Sequence, residues 1–186
     1  MSLKKNFRKK LVRRLKNGVG MKGGVLEYDE VAEAYDELYG QEQVPKYLAA
    51  LSRVGKRFRT ALDLGCGTGL LSKYIDCELM VGVDPSLPML KKAKARGVNA
   101  VQGVGERLPF RPQAFDAVFL FTVVHEDPSM INEAIRVSRT VVVVTLLKKL
   151  EYMLNTLRSF LFSRVSKVEE IDKEHLKDYV FIAWLE

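Results

Sequence analysis

The sequence predicts an α/β protein: a seven-stranded, mostly parallel sheet with helices on both faces and an antiparallel C-terminal strand. Three observations predict it. From residue 60 onward, apolar runs of strand length alternate with stretches of helical period, the pattern of parallel βαβ units in a doubly wound sheet. Gly65, Gly67 and Gly69 follow the first of those runs directly and open a helical stretch. Two apolar runs near the end of the chain pair as a hairpin would.

The elements follow in order. Leu3, Phe7, Leu11 and Leu15 recur every four residues among Lys and Arg, a basic amphipathic helix that Asn17-Gly18 ends. Gly18, Gly20, Gly23 and Gly24 then make a flexible connector, so residues 1–24 are an arm and residues 25–186 the domain proper. Val31, Ala34, Tyr35 and Leu38 share a face of a helix over Glu27–Gly40, closed by Gly40. A second helix is expected over Val44–Val54, stopped by Gly55. Strands are expected at Thr60–Leu64, Leu79–Val83, Val98–Gln102, Phe115–Phe121 and Val141–Leu147. Helices are expected at Leu70–Ile75, from Pro85-Ser86 to Arg96, at Pro128–Val137 and at Lys149–Phe162. Val165–Ile171 and Tyr179–Leu185 supply the last two strands.

Composition bounds the class. At 186 residues, 47% apolar and 28% charged, the chain is long enough to bury a core and falls in the ordinary globular range. The net charge of +7 is localised: nine Lys or Arg and no acid lie in residues 1–24. Removing those nine from 30 leaves 21 basic residues against 23 acidic ones, a net of −2 for the rest. The basic isoelectric point therefore describes an arm and not a nucleic-acid-binding domain. No apolar run approaches the roughly 18 residues of a membrane span, and the basic N-terminus lacks the apolar core and cleavage site of a signal peptide. Cys66 and Cys77 form neither a disulfide framework nor a metal-ligand spacing, so a reducing, cytoplasmic setting is expected.

A glycine at a strand-to-helix turn lets the backbone bend sharply and approach a ligand with no Cβ in the way. The carboxyl ends of parallel strands are where such sheets bind cofactors. Leu70 stands where the dinucleotide fingerprint wants its third glycine, and the turn alone also fits a tight corner with no ligand. Asp84, at the end of the second expected strand, offers two carboxylate oxygens to a ribose diol. The competing reading of Asp84 is a helix N-cap, with Pro85 at the first helical position.

Leu62-Asp63-Leu64-Gly65-Cys66-Gly67-Thr68-Gly69 resembles the first motif of class I S-adenosylmethionine-dependent methyltransferases. Tyr28 to Glu37 is similar to the N-terminal helix that lids the cofactor in small-molecule members. Gly103-Val104-Gly105-Glu106-Arg107-Leu108-Pro109-Phe110 resembles the third-strand motif. Phe115-Asp116-Ala117-Val118 with Val123-Val124-His125 resembles the fourth. The likeness runs from about residue 27 to 147 and is nearest in pattern to ubiquinone/menaquinone-biosynthesis-type methyltransferases. It implies a Rossmann-like fold, S-adenosyl-L-methionine as cofactor and transfer of its methyl group.

The resemblance also assigns residues. Gly65, Cys66, Gly67 and Gly69 would cradle the methionine moiety and Asp63 its amino group. Asp84 would take the ribose hydroxyls, with Pro85 and Leu87 against the adenosine. Val104 and Gly105 would border the adenine, Phe121 and Thr122 the methyl group, and Tyr35 would close over the site. Where relatives carry an Asp that accepts a hydrogen bond from the adenine amino group, this chain has Val104, which cannot.

Methyl transfer from a sulfonium needs mainly near-attack geometry. A base is required only where the acceptor loses a proton. His125 is the candidate base or acceptor-orienting group; its competing reading is a loop histidine beside the helix at Pro128. Cys66 as a covalent nucleophile is disfavoured, and no metal is expected. A small-molecule acceptor fits the compact chain without an appended substrate domain. The alternatives are an RNA or protein methyltransferase using the basic arm, and a non-catalytic methyltransferase-like binding protein. For the arm itself, RNA phosphates, anionic lipid and packing on the domain are all open.

Overall fold

The computed structural model describes Ala32, residues 35–123 and residues 127–185. The expected basic arm and His125 lie outside the described residues. Inside the sheet, next to its central strand, is β5 (Ser138–Leu147), in which Val141, Val142, Val143 and Val144 are all fully buried. A strand covered on both faces loses the polar–apolar alternation of a surface sheet, which is why consecutive valines suit it. β4 (Phe115–Leu120), β1 (Arg57–Leu64), β2 (Asp76–Asp84) and β3 (Asn99–Gln102) extend the sheet from β5, all parallel. On the other side β7 (Asp178–Trp184) runs antiparallel to β5, and β6 (Lys167–Ile171) antiparallel to β7. The order β3-β2-β1-β4-β5-β7-β6 is a seven-stranded Rossmann-like sheet, as expected from the sequence.

Side chains of period two divide into two cores. Ala61, Phe119, Val143 and Ile182 join the core shared with α1 (Tyr35–Val54), a short 3-10 turn (Leu70–Lys73) and α2 (Leu87–Ala95). Leu62, Leu120, Val144 and Phe181 join the one shared with α3 (Ser129–Val137) and α4 (Leu154–Phe162). The chain builds outward through β2 and β3 on one side of β1, then returns to place β4 on the other. That reversal leaves a crevice over the carboxyl ends of β1 and β4, the switch point where open α/β sheets bind ligands.

Several element bounds differ from the sequence expectation, each for a local reason. α1 is one helix that runs through Gly40 and Pro45 instead of two separated by them. A proline inside a helix removes a backbone donor, and a glycine costs about 1 kcal/mol against alanine. Burial of Lys46, Tyr47, Ala49, Ala50 and Leu51 along one face offsets both. β1 starts at Arg57, three residues before the apolar run, because this stretch already pairs with β2, the two arginines exposed and Phe58 half-buried against Phe119. The stretch after Gly69 makes only the 3-10 turn. The expected helix over Lys149–Phe162 is a 3-10 segment (Lys148–Met153), broken at Leu150, followed by α4. α2 is capped by Ser86, whose Oγ accepts a hydrogen bond from the Met89 amide at 3.3 Å, so Asp84 and Pro85 stand before the cap.

Candidate functional site

The turn that ends β1 is held by its neighbour strand. The amides of Gly65 and Cys66 both donate to the Val83 carbonyl, at 2.8 and 3.1 Å. Gly65, Gly67 and Gly69 all have positive φ, at 69°, 52° and 73°, a region that L side chains enter only at a cost. Gly65 also has no space: a Cβ there would stand 2.2 Å from Val123 Cγ1. At Gly69 a Cβ would meet Ala93 and Val98 at 3.0 Å, so this glycine lets α2 approach the turn.

Two carboxylates converge on the turn. Asp84 is buried at the end of β2; its Oδ2 accepts from the Gly67 amide at 2.8 Å and its Oδ1 from the Ser86 amide at 2.9 Å. The side chain is thus oriented by backbone donors on either side, one from each element that it joins. Asp63 is buried at the end of β1, on the face that packs under α1. Burial, reinforced by the charge of Asp84, pushes its carboxyl up to about 8. Burial, again with Asp63 nearby, raises the Tyr47 hydroxyl well above its ordinary value. The same three causes, burial, Asp63 and Asp84, raise the Cys66 thiol. Cys66 therefore stays a neutral thiol, and its Sγ fills the space above Gly82, where a Cβ would stand only 2.7 Å away. Its place is that of a small packing residue, with none of the features of an activated nucleophile.

α1 crosses this turn and is tied down at two points. Near its start, Asp36 forms an ion pair with Arg96 and accepts from Thr68 Oγ1 at 2.6 Å. Arg96 in turn donates to the Thr68 carbonyl and hydroxyl, both at 2.7 Å. Burial acts to raise the Asp36 carboxyl, but the hydrogen bonds from Arg96 and Thr68 outweigh it and hold the group below the usual range. Tyr35 leans over the glycines, its Cε1 3.9 Å from where a Gly67 Cβ would be. About three turns further on, Lys46 Nζ donates to Asp178 Oδ1 and to Thr122 Oγ1, each at 2.7 Å. Lys46 and Asp178 are 1% and 0% exposed, so this pair is interior.

Thr122, just past β4, has φ 62°, unusual for a β-branched residue and costing on the order of 1–3 kcal/mol. Its amide donates to Thr145 Oγ1 at 2.8 Å, and its hydroxyl accepts from Lys46 at 2.7 Å and donates to Asp178 Oδ2 at 3.4 Å, so β5, α1 and β7 hold it in that conformation. Phe121 is buried against Tyr47 at 4.6 Å between ring centres and stacks on Phe119. The structure therefore brings Tyr35, Asp63, Gly65, Cys66, Gly67, Gly69, Asp84, Phe121 and Thr122 around one crevice. Pro85 follows Asp84 at its rim, its carbonyl accepting from Gln102 Nε2 at 3.1 Å. Val104 lies beyond β3 and is 52% exposed, while the adjacent Gly105 is buried under Met130.

Residues 62–142 match the family described as Methyltransferase domain. That stretch runs from the end of β1 into β5 and includes the glycine turn, Asp84 and Thr122. An uncharacterized protein of Methanocaldococcus jannaschii is 36% identical to it over 115 residues, covering 59% of this chain and 55% of that protein. The malonyl-acyl-carrier-protein O-methyltransferase of Herminiimonas arsenicoxydans is 37% identical over 99 residues, covering 50% of this chain and 38% of that one. The chain thus spans about half, or less, of the length of these curated relatives. A solved S-adenosylmethionine-dependent methyltransferase of Thermotoga maritima superposes with a TM-score of 0.63 at 17% identity, covering 86% of this chain and 98% of that one. At that identity the likeness is one of fold.

Four residues around the crevice escape a reading of the sequence: Asp36, Lys46, Arg96 and Asp178. Each partner pair is far apart along the chain, 60 positions for Asp36 and Arg96 and 132 for Lys46 and Asp178. Only the i, i+4 spacing of Glu42 and Lys46, facing Lys177 and Asp178 in succession, carried a trace of the second pair.

The glycine turn gives a direct test. Gly65→Ala is expected to abolish ligand binding at the turn, because the new Cβ displaces Val123 and adds the left-handed strain of about 1–2 kcal/mol. Val123→Ala in the same chain removes the clash and is expected to restore part of the binding. A Gly65→Ala protein that binds as well as the parent would show that the turn yields freely.

Proposed function

We propose that the protein is an S-adenosylmethionine-dependent methyltransferase acting on a small-molecule acceptor. The observation that carries this reading is the convergence of Asp63, Asp84 and the positive-φ glycines on one crevice at the sheet's switch point. A buried carboxyl held near 8 is matched to a ligand that brings a cation, and glycines with no room for a Cβ are matched to a ligand lying on backbone.

Within that reading the turn at Gly65, Cys66, Gly67 and Gly69 holds the methionine moiety, and Asp63 receives its ammonium. Asp84, oriented by the Gly67 and Ser86 amides, presents its remaining acceptor capacity to the ribose hydroxyls. Pro85, Leu87, Val104 and Gly105 border the adenine. Phe121 and Thr122 hold the backbone nearest the methyl group, and Tyr35 closes over the glycines. Bound S-adenosylmethionine supplies an activated sulfonium methyl group. An acceptor's lone pair would form the new bond as the carbon–sulfur bond broke, with that bond's electron pair left on sulfur. The protein orients the two partners and excludes water. For acceptors that must lose a proton, His125 is the proposed base.

The clasps that pin α1 across the crevice support a small acceptor, since they leave it roofed by Tyr35 and Tyr47 instead of open to a duplex. The nine basic residues of the arm support a second reading, an RNA acceptor gripped by residues 1–24. Salt-sensitive RNA binding lost on deleting those residues would favour it.

Titration calorimetry with S-adenosylmethionine tests the site. The parent chain is expected to bind, and Asp84→Ala to bind at least tenfold more weakly, since it removes both the ribose acceptor and the brace of the Gly67 amide. No measurable heat at millimolar cofactor would sink the enzyme reading. Methyl transfer from labelled cofactor to a small-molecule extract, compared with transfer to total RNA, separates the two acceptor classes.

A further inference from the structure

Among the described residues, one polar side chain of α1 carries a buried oxygen that the fold leaves without a partner. Gln43 is 4% exposed, and its Oε1 is fully enclosed without a hydrogen-bond donor. A buried amide oxygen left unsatisfied keeps the penalty of its lost water, so such a group in a native chain calls for an explanation. Its position on α1 says which space it borders. Gln43 lies one turn before Lys46 and Tyr47, which touch Thr122 and Phe121 at the end of β4. It lies one turn after Tyr39 and Gly40, and Gly40 faces Leu70 just beyond the glycine turn. Helical side chains lean toward the helix N-terminus. The Gln43 amide therefore occupies the stretch of roof between the glycine turn and the post-β4 backbone.

We propose that Gln43 is an acceptor-binding residue, its Oε1 taking a hydrogen bond from an N–H or O–H group on the methyl acceptor. This rests on the methyltransferase reading of the crevice, in which the methyl group lies between those two segments. A neutral amide carries no charge to match and is no base at neutral pH. Its role is to orient a donor-bearing acceptor, such as a phenol-type hydroxyl or an azole N–H, and to discriminate against analogues that lack the donor. A site built to hydrogen-bond such a group rejects the analogue without it because its own buried atom is then left unpaired.

The experiment uses the nitrogen-15-labelled full chain, with and without saturating S-adenosylhomocysteine, titrated with phenol and pyrazole and with their donor-less counterparts anisole and N-methylpyrazole. The expected result is that phenol or pyrazole moves the Gln43 side-chain amide resonances and the methylated counterparts do not. Gln43→Leu is expected to weaken binding of the donor fragments about tenfold while changing the donor-less ones less than twofold. S-adenosylhomocysteine affinity should stay within twofold. Because the substitution removes an unsatisfied buried atom, the variant should also melt about 2–4 °C higher; Gln43→Met serves as a second apolar variant should leucine pack badly. Equal losses for both fragment classes, an unmoved Gln43 amide, or no fragment binding at all would overturn the inference. Failure of the parent chain to bind S-adenosylhomocysteine counts instead against the reading of the site, and the fragment titration of the cofactor-free chain still decides the role of Gln43.

Discussion

Asp178→Ala should lower the melting temperature more than other single substitutions at the site, by roughly 6–20 °C, corresponding to about 3–5 kcal/mol. The substitution leaves the Lys46 ammonium buried without its carboxylate, donating only to the neutral Thr122 Oγ1 at 2.7 Å among the described residues. An uncompensated interior charge costs far more than the pair it came from is worth, since both ions had already lost their water on burial. Lys46→Met should be nearly as damaging, because it strands the carboxylate of Asp178 instead. The double variant Lys46→Met with Asp178→Leu should recover most of the loss, as buried ion pairs often exchange for apolar residues at little net cost. Function should not recover with it. Thr122 is kept at φ 62° by Lys46 and by Thr145. Without the ammonium its backbone is free to relax and shift the carbonyls nearest the proposed methyl position. A double variant that folds well and turns over normally would show that the pair serves stability alone.

The contrast between this pair and the glycine turn explains what the sequence made legible. Gly65, Gly67, Gly69 and Asp84 act within one β-turn-β unit, so their spacing along the chain reports their spacing in the fold. The strands were legible because parallel strands buried on both faces need unbroken apolar runs, and Val141 to Val144 is such a run. Lys46 was illegible for the opposite reason. A lysine inside a helix ordinarily reads as solvated surface, and its partner is 132 residues away. Asp36 and Arg96 are hidden in the same manner, on two helices with no local signal of contact. The length of α1 was misjudged because Gly40 and Pro45 are strong local stop signals, overridden by tertiary burial. Gln43 is a different case: nothing in a polar residue's letter says whether it is buried, so its unused amide emerges only from the packed helix.

If Asp63 receives the ligand's ammonium as proposed, S-adenosylmethionine affinity should rise steeply with pH, by roughly 25-fold between pH 6 and pH 8, and binding should release a proton from Asp63. The sign follows from the direction of the shift. Burial and the charge of Asp84 raise the Asp63 carboxyl to about 8, so at neutral pH the ligand-free protein holds it mostly protonated. An incoming ammonium needs the carboxylate, and the proton must leave first. A ligand α-amino group near an electron-withdrawing centre, like that of a chain N-terminus, loses its own proton near pH 8, so the affinity should flatten there and decline at higher pH. The same shift affects the ligand-free fold with opposite benefit. A carboxyl whose folded value lies above its unfolded value of about 4 favours the native state only while it is protonated. That contribution is complete below about pH 4 and is lost as the pH rises toward 8. Asp63→Asn should remove both dependences at once: cofactor binding becomes weak and flat with pH, and thermal stability gains near pH 8. Calorimetry in phosphate and in Tris reads the released proton directly through their different heats of ionisation. Identical affinities at pH 6 and pH 8, with heats independent of buffer, would show that Asp63 is already ionised and that the ligand cation is met elsewhere.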